Sequence, residues 1–136
     1  MNDQAARSLH HLRDSTMIFA HANSRFLAGA DCAWENAGAG VRRQMLGHDD
    51  MLMMVRVQFE KDAIGSVHAH PHRQVTYIES GSFEVLIGED KKVLRGGDCY
   101  FIPPGMLHGV VAREQSSLVD VFTPARQDFL APSSTH

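Results

Sequence analysis

No stretch of this chain is long and apolar enough to cross a membrane. The longest candidate, MLMMVRVQF (51–59), is interrupted by Arg56 and Gln58 and falls well short of the roughly 20 residues a span needs. Positive charge is scarce too. Thirteen Lys and Arg stand against sixteen Asp and Glu, a net charge of −3 that leaves no basic footprint for nucleic acid. Cysteine is nearly absent: Cys32 and Cys99 lie far apart and neither sits in a C-x-x-C pattern. A disulfide framework is therefore excluded, and both are expected to be free thiols. The opening MNDQAARSLHHLRD has no apolar core of a signal peptide, so a cytoplasmic location is the default expectation. Internal repeats and low-complexity tracts are missing as well. At 136 residues one domain with a real core fits, but two do not.

What the chain does have is histidine, nine in all. His68, His70, His72 and His108 fall in the part of the sequence that looks most like sheet. From residue 41 onward, short apolar runs alternate with turn signals. VRRQML (41–46), MLMMVRVQF (51–59), VHAHPHRQVTYI (67–78), FEVLIG (83–88), KVL (92–94), CYFIP (99–103), LHGVVA (107–112) and LVDVFTP (118–124) read as about eight strands. No helical pattern separates them, which predicts an all-β antiparallel barrel or sandwich. Residues 28–40, rich in Gly and Ala around Trp34, are expected as a loop leading into it. A short helix over residues 3–13 is expected to precede it, and the tail 131–136, APSSTH, is expected to be disordered. The expected organisation is an extension over 1–30, a barrel over 31–130 and the tail.

Side chains alternate faces along a strand, so His68, His70, His72 and Gln74 are expected on one side of a single strand, with Val67, Ala69, Val75 and Tyr77 on the other. Polar residues facing in and apolar ones facing out suggest an interior site. Pro71 removes a ladder donor and should interrupt the strand. His72 is then set aside, and His68, His70 and Gln74 form the remaining trio. A second piece, GDCYFIPPGMLH, runs from Gly97 to His108; its two turns deliver His108 at the start of a strand, where it can join them. Neutral imidazole is the commonest protein ligand of mid-series divalent metals.

These two pieces resemble the paired motifs of the cupin superfamily. The first reads Gly65…His68-x-His70-x-x-x-Gln74, six residues, Gly81. The second reads Gly97, five residues, Pro103-x-Gly105-x-x-His108. The spacer after Gly65 is shorter than usual, and Ala112 stands where an asparagine is common. Gln74 replaces the usual acidic ligand. The resemblance implies a double-stranded β-helix, or jelly-roll, barrel. Three imidazoles and an amide would leave the bound ion its full charge, suited to an anionic substrate, whereas redox iron sites more often include a carboxylate. Zn, Ni, Mn, Co and Fe all remain open.

The phrases GVRRQMLGHDD, VHAHPHRQVTYI, GGDCYFIPPGMLHG and VDVFTPARQDF are similar to the small single-domain cupins of pectin degradation, which linearise unsaturated monouronates. This resemblance implies metal ligands at His68, His70, Gln74 and His108, and working residues at Asp120, Phe122 and Arg126. It implies a metal-dependent, non-redox ring opening of a 4,5-unsaturated monouronate to its linear keto acid. Arg73 replaces the family's usual glutamate in HPHRQ. The residues themselves agree with such a site. Asp120, between Val119 and Val121, is expected to face the lumen as general acid or base. Arg126, past Pro124, could cover the mouth and grip a carboxylate. Thr76 continues the inward face as a substrate contact, and Phe122 either stacks on a ligand ring or fills the barrel. A second carboxylate anchor among Arg42, Arg43 and Arg56 stays open. Two other readings remain: a cupin dioxygenase or lyase on another small acid, and a non-catalytic small-molecule-binding cupin. A homodimer is expected, with a second copy covering exposed sheet.

Overall fold

In the computed structural model, residues 25–130 are described; the helix expected over 3–13 and the tail 131–136 lie outside them. After a 3-10 turn at Gly29–Asp31 come ten strands. They are β1 (Trp34–Gly38), β2 (Val41–His48), β3 (Met53–Phe59), β4 (Ile64–His68) and β5 (Arg73–Ser80), then β6 (Ser82–Ile87), β7 (Asp90–Arg95), β8 (Cys99–Ile102), β9 (His108–Ala112) and β10 (Ser116–Thr123). A four-residue helix, α1 (Gln127–Leu130), follows.

Every strand pairing is antiparallel. One sheet has the order β1-β2-β3-β10-β5-β8, the other β4-β9-β6-β7. Alternation explains what each strand buries. In β3, Met53, Val55, Val57 and Phe59 turn inward, and Phe59 meets Phe83 of β6 edge-on at 5.1 Å between ring centroids. Ile78, Ile102, Leu118 and Phe122 complete the core between the sheets. Non-directional burial of this kind is the main force holding two sheets face to face. Gly81, joining β5 to β6, has φ of 78°, and a Cβ there would collide with Ser116.

Three expectations need correction. The segment expected as loop at 28–40 contains β1, which pairs with β2 through Trp34↔Gln44 and Glu35↔Arg43. Pairing with a neighbour, rather than an apolar alternation of its own, makes WENAG a strand. Ile64 and Gly65, expected in a turn, already belong to β4. The run 67–78 is not one strand. It leaves the smaller sheet after His68, crosses at 69–72, and enters the larger sheet at Arg73. Pro71 sits in that crossing, where its missing donor costs no ladder bond.

Candidate metal centre

His68 ends β4 and His108 begins β9, and the two are register partners in the smaller sheet. His70 hangs from the crossing loop. That loop is tied to the second turn, where the Gly105 N–H donates to the His70 carbonyl at 2.9 Å. The turn is Pro103–Met106, closed by the Met106 N–H on the Pro103 carbonyl, with Gly105 at φ 80°; glycine is the residue suited to that position after Pro104. The ligand nitrogens of His68, His70 and His108 lie within 4.8 Å of one another. Gln74 enters from β5 on the opposite sheet, its Oε1 2.9 Å from His70 Nε2.

All three imidazoles are oriented by the backbone beside them. Nδ1 faces a carbonyl oxygen in each case: Ser66 at 2.7 Å for His68, His72 at 3.1 Å for His70, Met106 at 2.9 Å for His108. An acceptor in front of Nδ1 assigns the proton to that nitrogen and turns the Nε2 lone pair to the shared centre. Gln74 is oriented as firmly. Its amide nitrogen donates to Thr76 Oγ1 at 2.9 Å and to Asp120 Oδ1 at 3.2 Å, so its oxygen must face the histidines. His70 Nε2 and Gln74 Oε1 are then two acceptors face to face. His108 Nε2 is buried without a hydrogen-bond partner. Buried acceptors so placed call for a positive group among them, and a divalent cation fits the donor set. Protons are a poor substitute. Burial, followed by the neighbouring positive groups, pushes His108 down to about 4, and burial also lowers His70.

Behind this cluster stands Asp120 of β10, held by the Thr76 hydroxyl and the Gln74 amide. Burial raises its carboxyl to about 6, against the pull of Thr76, Arg126 and Gln74 in the other direction. Tyr100 lies close by, its phenol raised by burial and by the Asp120 charge. Arg126 is 9% exposed and donates to Asp128 through Nε at 3.0 Å and Nη2 at 2.8 Å. Its guanidinium stands over Phe129, 4.2 Å from the ring centroid, and over Phe122 at 5.1 Å.

A cavity of about 630 Å³ collects these groups, with His68, His108, Gln74, Asp120 and Arg126 on its wall. Phe122 also lines it, though only 1% exposed; its ring edge supports His70 at 5.7 Å. Thr76 is wholly enclosed and holds Asp120 and Gln74 rather than facing the cavity. His72 stands apart from the cluster, lending its carbonyl to His70. Sequence reasoning did not find Tyr100 or Phe129, which share this wall, and left Arg43 unresolved. Tyr100 was within reach, because alternation in CYFI puts Tyr100 and Ile102 on one face. Phe129 depends on α1, which no periodicity announces.

Two antiparallel sheets closed around three convergent imidazoles and an oriented amide define a small barrel with a site that could hold a cation. The sequence profile of the Cupin domain matches residues 55–122. The pectin degradation protein KdgF of Dickeya dadantii (strain 3937) is 44% identical over 108 residues, 78% of this chain and 98% of that protein. The structure of an RmlC-like cupin from Shewanella frigidimarina NCIMB 400 superposes with a TM-score of 0.78 at 43% identity, covering 80% of this chain and 98% of its own. That of KdgF from Halomonas sp. gives 0.75 at 34% identity, covering 79% and 99%. The chain belongs to the cupin family and, within it, to the pectin-degradation proteins of the KdgF kind.

Proposed function

We propose that this protein converts 4,5-unsaturated monouronates, the sugar acids released when lyases cut pectin or alginate, to linear keto-uronates. One observation carries the reading. A half-buried carboxyl with raised proton affinity, Asp120, shares a cavity with a candidate cation site and a restrained guanidinium, Arg126. His68, His70, Gln74 and His108 would hold one divalent ion, Zn, Ni, Mn, Co or Fe. When bound, the ion supplies positive charge that anchors substrate oxygens and stabilises the enolate character of ring opening.

The reaction is an isomerisation and needs no oxidant. The bond between C1 and the ring oxygen breaks, the C1 hydroxyl gives up its proton, and C4 gains one as the enol becomes a ketone. Asp120 takes the first proton and returns it to C4. Proton affinity near 6 suits both halves of that task at neutral pH. Thr76 and the Gln74 amide keep the carboxylate aimed, and Phe122 stiffens His70 from behind. Arg126 holds the substrate carboxylate; its bonds to Asp128 fix the plane of the guanidinium before substrate arrives. Among the described residues no helix is long and apolar enough to cross a membrane, and a cytoplasmic site of action is part of this proposal.

The test is loss of ultraviolet absorbance when metal-loaded protein meets an unsaturated monouronate. Wild type should outpace the spontaneous reaction, and Asp120→Asn should be slower by about 100-fold or more. Equal rates for wild type and Asp120→Asn would remove the proposal.

A further inference from the structure

Three strand arginines compete for the role of second carboxylate anchor, and the structure separates them. Arg42 points away from the barrel, its Nε and Nη2 on Gln58 Oε1 at 2.8 and 2.6 Å and its guanidinium 4.5 Å from the Trp34 ring centroid. Arg56 is committed to Glu79 at 3.0 Å and to Gln44 at 3.1 Å, also away from the cavity. Arg43 differs. It follows Val41 on the inward face of β2 and lines the same cavity as Arg126, Asp120 and the imidazoles. Its guanidinium carbon lies 3.9 Å from the centroid of Phe129, the ring that also carries Arg126 at 4.2 Å.

One aromatic side chain therefore holds two guanidiniums at one cavity. Each guanidinium is balanced by its own carboxylate: Glu35 accepts from Arg43 Nε at 2.7 Å, and Asp128 pairs with Arg126. These carboxylates are the more exposed members of their pairs. The side chains of Glu35 and Asp128 are 49% and 59% exposed, against 22% and 11% for Arg43 and Arg126. Two restrained cations attract an anion more strongly than either does alone.

We infer that Arg43 is a second anchor for the carboxylate of the substrate, acting with Arg126 across Phe129 and setting the preference for a sugar acid over a neutral sugar. Arg43 acts on substrate binding and not on the proton transfer at Asp120. Glu35 is then a competitor that the substrate displaces from Arg43. This inference rests on the sugar-acid reading above.

Opposed variants test it. In metal-loaded protein, Arg43→Gln should raise KM for the unsaturated monouronate by about tenfold or more, the worth of one charge-assisted hydrogen bond, with kcat changed less than about threefold. Arg43→Lys should recover part of that loss, and Glu35→Gln should leave KM at or below the wild-type value. If Arg43 serves only its ion pair with Glu35, the two neutral variants behave alike; that result, or a KM for Arg43→Gln within twofold of wild type, overturns the inference. Thermal melting checks that each variant is folded. Should Arg43→Gln fail to fold, Arg43→Lys should still raise KM while Glu35→Gln leaves it at or below the wild-type value; equal KM for these two variants overturns the inference. Wild type inactive on the monouronate would sink the functional reading instead. Calorimetry with glucuronate and glucose then decides alone: glucuronate binding weakened about tenfold by Arg43→Gln upholds Arg43 as an acid anchor, and unchanged binding overturns it.

Discussion

An amide has two different ends, and at Gln74 the barrel decides which end meets the imidazoles. Asp120 and Thr76 take the nitrogen, so the oxygen is left for a cation. A carboxylate at this position could not donate to Asp120 and would set two negative groups against each other. An amide is therefore what would let the metal ligand and the acid–base carboxyl we propose stand in contact. Asp120 itself carries a cost. Its proton affinity is raised from 3.8 to about 6 in the fold, so between those values the native state of metal-free protein binds more protons than the unfolded chain. Stability from this group is present at acid pH and lost as pH rises through 6, by at most about 3 kcal/mol. His108 works in the opposite sense: lowered from 6.5 to about 4, it withdraws stability as pH falls below 6.5. Wild type shows the two partly cancelled. Comparison with Asp120→Asn separates them. In metal-free protein the unfolding free energy of Asp120→Asn over wild type should be near zero at pH 4 and grow in the variant's favour up to pH 7. Urea titrations across that range measure it, and a difference independent of pH would contradict the assignment.

Elements position the proposed ligands through their pairing, and here close packing sets the tolerance. A Cβ on Gly109 would stand 3.0 Å from the Gly65 carbonyl oxygen and 3.0 to 3.1 Å from Val67. β4 and β9 thus approach so closely that a side chain at Gly109 would need its neighbours to give by a few tenths of an ångström, and they carry His68 and His108 as partners. Gly109→Ala should push β4 outward by a few tenths of an ångström and weaken metal binding by about tenfold, with a smaller effect on thermal stability. Competition with a chromogenic chelator would show it; unchanged affinity would mean that the strand gives way without moving His68. The same elements show what the sequence could and could not reveal. Alternation in MMVRVQF and LVDVF was plain because each strand has one apolar face. The polar inward face of Gln74 and Thr76, with Val75 and Tyr77 outside, was plain for the inverse reason. The change of sheet between His68 and Arg73 was not. Period-two alternation put His68, His70 and Gln74 together on one strand, whereas they meet because two sheets close on each other. Glu35 was hidden for a related reason, since β1 is a strand only by virtue of its neighbour; the inward aim of Arg43 follows from alternation with Val41, but its meeting with Phe129 depends on α1.

Across the whole molecule, one patch on the outer face of the larger sheet is apolar. Met54, Val121, Val75 and Phe101 are register neighbours across four successive strands, and Val119, Tyr77 and Cys99 form the next row. Met54, Val75, Tyr77 and Phe101 are each at least 41% exposed. Contiguous apolar surface of this kind marks an association face, and the homodimer we propose buries it in a second copy. Sedimentation velocity should show a dimer for wild type and a monomer for Phe101→Lys, with turnover retained; a monomeric wild type would refute it. The centre inside has its own consequence at this scale. Its proposed ligands come from both sheets, two from the paired ends of β4 and β9, one from the loop between the sheets, and one from β5. A cation held there would be a polar clasp between two layers whose shared core is otherwise mainly apolar. Letting the ion go would remove that clasp and leave the apolar core to hold the layers. Bound metal would then make opening of the barrel rarer.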